Sequence, residues 1–163
     1  MTIDILLATY REAFIAADVD AIGACFASPC VFVSERVGEG PVVLPSDPVA
    51  SRIRVGQILD WNRRLGVARL SSQMRWSLEL SPRQACRHLH VVAQDKAGAA
   101  LYAFDGVYTF AMFDRQWRIA AISHNQIPAM VARVQATNAP EAEASMVDWP
   151  QSSARLLRRA SAS

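Results

Sequence analysis

Residues 99–128, AALYAFDGVYTFAMFDRQWRIAAISHNQIP, constrain the fold more than any other stretch. β-Branched and aromatic residues fill both arms, and the only polar cluster, Asp114, Arg115 and Gln116, lies between them. That pattern predicts two long antiparallel strands joined by a tight turn. Side chains alternate along a strand, so Leu101, Ala103, Asp105, Val107, Thr109 and Ala111 share one face and Tyr102, Phe104, Tyr108, Phe110 and Met112 the other. Both faces are largely apolar. Such a sheet needs a layer over each side, so helices are expected over one and a second layer or a partner subunit over the other.

Upstream, Ile3, Leu6, Leu7, Tyr10, Phe14 and Ala17 recur at helical spacing, and Asp18 can cap a shorter helix carrying Ile22 and Phe26 inward before Pro29. A strand is expected over 30–37, a glycine loop over 38–41 and a short strand over 42–44. Ser46, Asp47 and Pro48 then start a third helix that runs to Leu65 and stops at Gly66, with Val55, Ile58, Leu59, Asn62 and Leu65 inward. From 69 to 80 the alternation is unbroken and predicts a buried stripe of Leu70, Ser72, Met74, Trp76, Leu78 and Leu80. Residues 87–94 form another strand before the turn at Asp95, Lys96, Ala97 and Gly98.

The chain of 163 residues suits one domain, over 1–136, and with 52% hydrophobic and 20% charged residues it has no need of disulfides or metal to bury a core. Residues 129–136 can extend as a short helix. Residues 137–163, rich in Ala, Ser, Pro and charge without a period, are expected to be a mobile tail. A net charge of +2 with scattered arginines argues against a nucleic-acid partner. Three cysteines without C-x-x-C spacing suit free thiols in a reducing compartment, and neither a leader nor a membrane span is visible, so a cytoplasmic location is expected.

The order helix, short helix, strand, helix and four long strands resembles the nuclear transport factor 2-like superfamily, which includes ketosteroid isomerases, scytalone dehydratase and SnoaL-type cyclases. TYREAFIAADVDAIGACFASPCVFVSERVG is similar to its opening and YTFAMFDRQWRIAAI to its closing hairpin. The resemblance implies an α+β cone, a curved mixed or antiparallel sheet wrapped around about three N-terminal helices and enclosing an apolar pocket. It also implies a homodimer through the outer sheet face, for which Tyr102, Phe104, Tyr108 and Phe110 are the candidates.

Four candidate catalytic residues follow from that resemblance. Glu35, in VFVSERVG, takes the place of the isomerases' catalytic carboxylate, where an apolar pocket would raise its pKa toward a general base. The other reading is a solvated strand-end glutamate. Tyr10 stands eight residues before Asp18, as the isomerases' oxyanion-binding tyrosine does, or is a core tyrosine. Thr109 takes the position of their protonated aspartate and is a weaker acid, which argues against steroid isomerase activity. His124 matches a pocket position on the closing strand and can pass protons near neutrality. Phe14, Asp105, Val107, Ile122, Gln126 and Trp61 are expected to line the pocket, although Gly106 can turn Asp105 elsewhere. Cys86, His88 and His90 alternate on one strand face and make a weak metal candidate; otherwise neither metal nor cofactor is expected.

The expected function is a small-molecule pocket protein, with acid–base isomerase, dehydratase or cyclase chemistry on a compact apolar ketone or polyketide-like ring. Its rival is a non-catalytic ligand-binding or dimerisation module of the same fold, without nucleic-acid or membrane contacts.

Overall fold

The computed structural model describes residues 1–36 and 40–125, the side chains of 35, 36 and 40–46 excepted. The chain divides into two units, 1–127 and 128–163. The expected short helix at 129–136, the tail at 137–163 and Gln126 lie outside the described residues, as does the Glu35 side chain.

Each helix begins on a side-chain cap, because its first backbone N–H groups have no partner within the helix. Thr2 accepts from the Ile5 amide ahead of α1 (Ile3–Ile15), and Asp18 from the Ala21 amide at 2.9 Å ahead of α2 (Val19–Ala24). Asp47 accepts from the Ala50 amide at 2.8 Å ahead of α3 (Pro48–Leu65). Proline opens α3 and Gly66 ends it at φ 77°, a left-handed conformation that costs glycine little. The second helix is shorter than expected, and Phe26 belongs to the strand that follows.

Among the described residues, six strands form one mixed sheet in the order β2-β1-β6-β5-β4-β3, with β1 (Phe26–Arg36) parallel to β6 (Gln116–His124) and every other pair antiparallel. The remaining strands are β2 (Gly40–Ser46), β3 (Arg69–Ser81), β4 (Gln84–Gln94) and β5 (Ala100–Phe113). Asp114 at φ 48° and Arg115 at φ 62° make a two-residue turn between β5 and β6, the hairpin geometry whose twist suits the strands.

The helices cover the aromatic face, which corrects the expectation that Tyr102, Phe104, Tyr108 and Phe110 meet a partner subunit. Tyr102, Tyr108 and Phe110 are buried, with Ile122, Ile119, Leu89 and Val91 beside them and Leu6, Ile22, Val55 and Leu59 of the helices above. The physical reason is area: large aromatics lose most from facing water, and this face carries four of them. The Tyr102 hydroxyl is accommodated by donating to Asn62 Oδ1 at 2.6 Å.

Strand β3 corrects a second expectation. Leu70, Ser72 and Met74 pair with Ala93, Val91 and Leu89, on the helix side, but the register slips at Arg75, and Trp76 and Leu78 pair with His88 and Cys86. A one-residue bulge sends every later side chain to the opposite face. The expected buried stripe therefore ends at Ser72, and Met74, Trp76, Leu78 and Leu80 are exposed. A second slip follows Glu79.

Candidate functional site

The hairpin of β4 and β5 sets Cys86 opposite Thr109, His88 opposite Val107 and His90 opposite Asp105, all on the face turned away from the helices. The Asp105 carboxylate bridges two imidazoles through one oxygen, with His88 Nε2 at 3.1 Å and His90 Nδ1 at 3.3 Å from Oδ1. An ionised carboxylate only accepts, so both rings donate through those nitrogens. That fixes their tautomers and leaves His88 Nδ1 and His90 Nε2 as the basic nitrogens. Burial alone would raise the Asp105 pKa, but the hydrogen bonds and positive charge of His90 and His88 outweigh it and hold the carboxyl below its usual value. The side chain keeps 42% of its surface in water, so a solute can reach it.

The Asp105 backbone is fastened from the end of β6. Its amide donates to Asn125 Oδ1 at 3.0 Å and its carbonyl accepts from the Asn125 amide at 3.2 Å. Next to Asn125, His124 places Nδ1 3.0 Å from the Asn125 carbonyl, so Nδ1 carries the proton and Nε2 the lone pair. Between these groups lies an open cleft of about 380 Å³, lined by Val33, Gly106 and Val107 with His88, Asp105, Ser123, His124 and Asn125. All three histidines of the chain stand in or beside it. A volume of this size suits a small ligand.

Among the expected site residues, Asp105 and Val107 line the cleft with His88, which had been singled out only for metal; His124 also borders it, but pairs with Gly106 and packs its ring 6.0 Å from Phe104, toward the helix side of the sheet. Thr109 is on the same face but beside Cys86, its hydroxyl 3.7 Å from Sγ. Tyr10 is elsewhere. Its ring packs on Phe14, Phe26 and Tyr108 in the core between helices and sheet, where burial first and then the neighbouring Tyr108, Cys25 and Tyr102 push its pKa well up. Tyr10 and Thr109 therefore do not share a pocket. Phe14 and Ile122 belong to the same core, and Trp61 stacks 5.0 Å from Tyr102 under α3. Glu35 pairs through its backbone with Pro41 in β1 and β2. Among the described residues, no group of three or more His, Cys, Asp or Glu is disposed to hold a metal ion, and Cys86 faces Thr109 instead.

The reading of the sequence missed the His88, His90, Asp105 cluster, although the signal was present. His90 and Asp105 are nearly equidistant from the middle of the Asp95–Ala99 turn, so a hairpin about that turn must set them opposite each other. Asn125 carried no comparable signal.

No family model matches the chain, and no curated protein does. Solved structures do match in fold. An NTF-2-like protein of unknown function from Silicibacter pomeroyi is similar at 20% identity and a TM-score of 0.55, over 77% of this chain and 92% of that one. A cystatin-like domain of unknown function from Nostoc punctiforme is similar at 14% identity and a TM-score of 0.60, over 94% of each. A ketosteroid isomerase-like protein from Erwinia carotovora atroseptica is similar at 15% identity and a TM-score of 0.55, over 75% of this chain and 91% of that one. Among the described residues no helix is long and apolar enough to cross a membrane. With three capped helices laid over the aromatic face of one mixed sheet, and with these neighbours, the chain has the nuclear transport factor 2-like, cystatin-like α+β fold.

Proposed function

We propose that the protein binds a compact apolar ketone or enone in the cleft between β1, β4, β5 and β6 and moves a proton on it. The observation that carries this reading is the Asp105 carboxylate hydrogen-bonded to both His88 and His90 at the cleft wall. A carboxylate behind an imidazole fixes its tautomer and stabilises the imidazolium that forms when its other nitrogen takes a proton. His88 Nδ1 is the base in this scheme. His124 Nε2, once protonated, donates to the oxygen on which negative charge develops. Val33, Val107 and the bare backbone of Gly106 supply apolar wall for the ring. The carboxylate of Glu35, which the resemblance singles out, is a second candidate base.

The reading is tested by following exchange of α-protons for deuterium in a panel of cyclic ketones by NMR. Exchange should be catalysed by the wild type and fall on the order of 10²- to 10⁴-fold in His88→Ala, the usual contribution of one general base. Glu35→Gln in the same assay reports on the alternative base. Binding of ketone mimics without exchange would favour the non-catalytic pocket module, for which the openness of the cleft to solvent speaks. Neither binding nor exchange would remove the small-molecule reading altogether.

A further inference from the structure

We infer that a cavity between α2, the start of β1 and the first turns of α3 binds a neutral one-ring aromatic molecule that carries a single hydroxyl. It shares no residue with the cleft of Asp105 and His88, so this site is independent of proton transfer there. Its volume is about 210 Å³, and its walls are largely apolar: Val19 of α2, Phe26 and Ala27 of β1, and Val55 of α3. Protein cavities of about 150 Å³ with apolar walls take up benzene. The Phe26 ring is already fixed, edge-on to Tyr10 at 5.7 Å and tilted 5.5 Å from Phe32, so it offers a preordered surface to another ring.

Gly23 keeps this space open. Val19, Asp20 and Gly23 share one face of α2, and all three line the cavity. A glycine within a helix makes it less stable than an alanine would. Neither backbone nor packing requires one here: its φ is not left-handed, and beyond its own stretch of helix no described atom lies within 4 Å of where a Cβ would stand. A side chain at this position would take its room from the cavity. Polar groups select the kind of ring. The ion pair of Asp20 and Arg52 ties α2 to α3 at the solvent edge and cancels its own charge, so nothing there favours an ion. Ser28 and Ser51 bring two hydroxyls to the wall, each able to donate and to accept, which suits one hydroxyl on an otherwise apolar ring.

Titration of phenol into the full chain, followed by methyl NMR, tests the site. Saturable binding should shift the Val19 and Val55 methyl signals through the ring current of the probe. Toluene, the same ring without a hydroxyl able to bond, should bind about fivefold more weakly, the net worth of one hydrogen bond. Gly23→Leu fills the cavity and should weaken phenol binding more than about tenfold. Gly23→Ala should weaken it less while raising the thermal midpoint by about 2 to 4 °C, so that lost binding is not lost fold. His88→Ala, in the cleft of the sheet, should bind phenol as the wild type does. No saturable binding overturns the inference, as does binding that Gly23→Leu leaves unchanged. Toluene binding equal to that of phenol, or loss of binding in His88→Ala, overturns it as well.

Discussion

Phe110 and Thr109 are neighbours in β5 and point to opposite sides of the sheet, so truncating each in turn tests which face is the core. Phe110 is wholly buried, its ring stacked on Tyr108 at 6.4 Å, with Leu6, Ile22 and Ile119 in the same cluster. Phe110→Ala loses the transfer energy of an aromatic ring and leaves a cavity that the surrounding chain only partly fills, a cost of about 4 kcal/mol. At about 2.1 cal/mol/K per residue, a folded unit of 127 residues has an unfolding entropy near 0.27 kcal/mol/K. The midpoint should therefore fall by about 15 °C. Thr109→Ala removes a half-buried hydroxyl and methyl beside Cys86, and should move the midpoint by less than about 4 °C. Thermal unfolding followed by far-UV circular dichroism reads both. A large loss in Thr109→Ala with a small one in Phe110→Ala would mean that the faces are exchanged. The cleft of Asp105 and His88 would then lie under the helices.

Two further outcomes concern titration. All three tyrosines are shielded: burial first, then neighbouring phenols, raises Tyr10 and Tyr108, and burial, opposed by the Asn62 hydrogen bond, pushes Tyr102 up to about 12. Folded protein should therefore show almost no tyrosinate absorbance at pH 11. Because these pKa values are raised, the stabilisation they carry is complete below pH ~10 and lost as pH climbs through the folded values, so ionisation should coincide with alkaline unfolding. A hyperbolic rise near pH 10 in folded protein would contradict their burial. Asp105 runs the other way. Its folded pKa is depressed, so its contribution is present above pH ~4 and disappears as pH falls through the folded value. Urea unfolding of Asp105→Asn should give a stability below the wild type at pH 5 by under about 1 kcal/mol, as for a solvent-screened pair, and the two should converge in acid. A gap that widens in acid would exclude the carboxylate–imidazole cluster.

How much of this was legible beforehand depended on whether local chemistry decided the outcome. Helix α3 was legible to the residue, because Asp47, Pro48 and Gly66 are backbone requirements written in side-chain type. The β5–β6 hairpin was legible for the same reason. The choice of face was not, since both faces of β5 are apolar and only the competition for cover between four aromatics and a row of small residues settles it. Tyr10 looked like an oxyanion donor from its spacing, yet it answers to the ring packing of Phe26 and Tyr108. Asp105, whose direction the following glycine left open, proved to anchor the cluster because Asn125 pins its backbone. Arg54, buried over the Phe32 ring at 5.1 Å, stands outside the inward set of Val55, Ile58, Leu59, Asn62 and Leu65 that helical periodicity picks out.

The extra residue at Arg75 acts on side-chain direction as a single inserted nucleotide acts on a reading frame. Everything downstream changes address while the spelling stays regular, until the second slip after Glu79 restores the original frame by Ser81. Only Trp76 to Glu79 are transposed, a window just long enough to export a tryptophan and a leucine. Removing Arg75 would close the ladder from Met74 to Trp76 without turning either side chain, because Trp76 would then follow Met74 directly and stay opposite His88. Loss of one residue at either slip should therefore be tolerated, whereas loss of one between the slips turns the side chains that follow it to the other face.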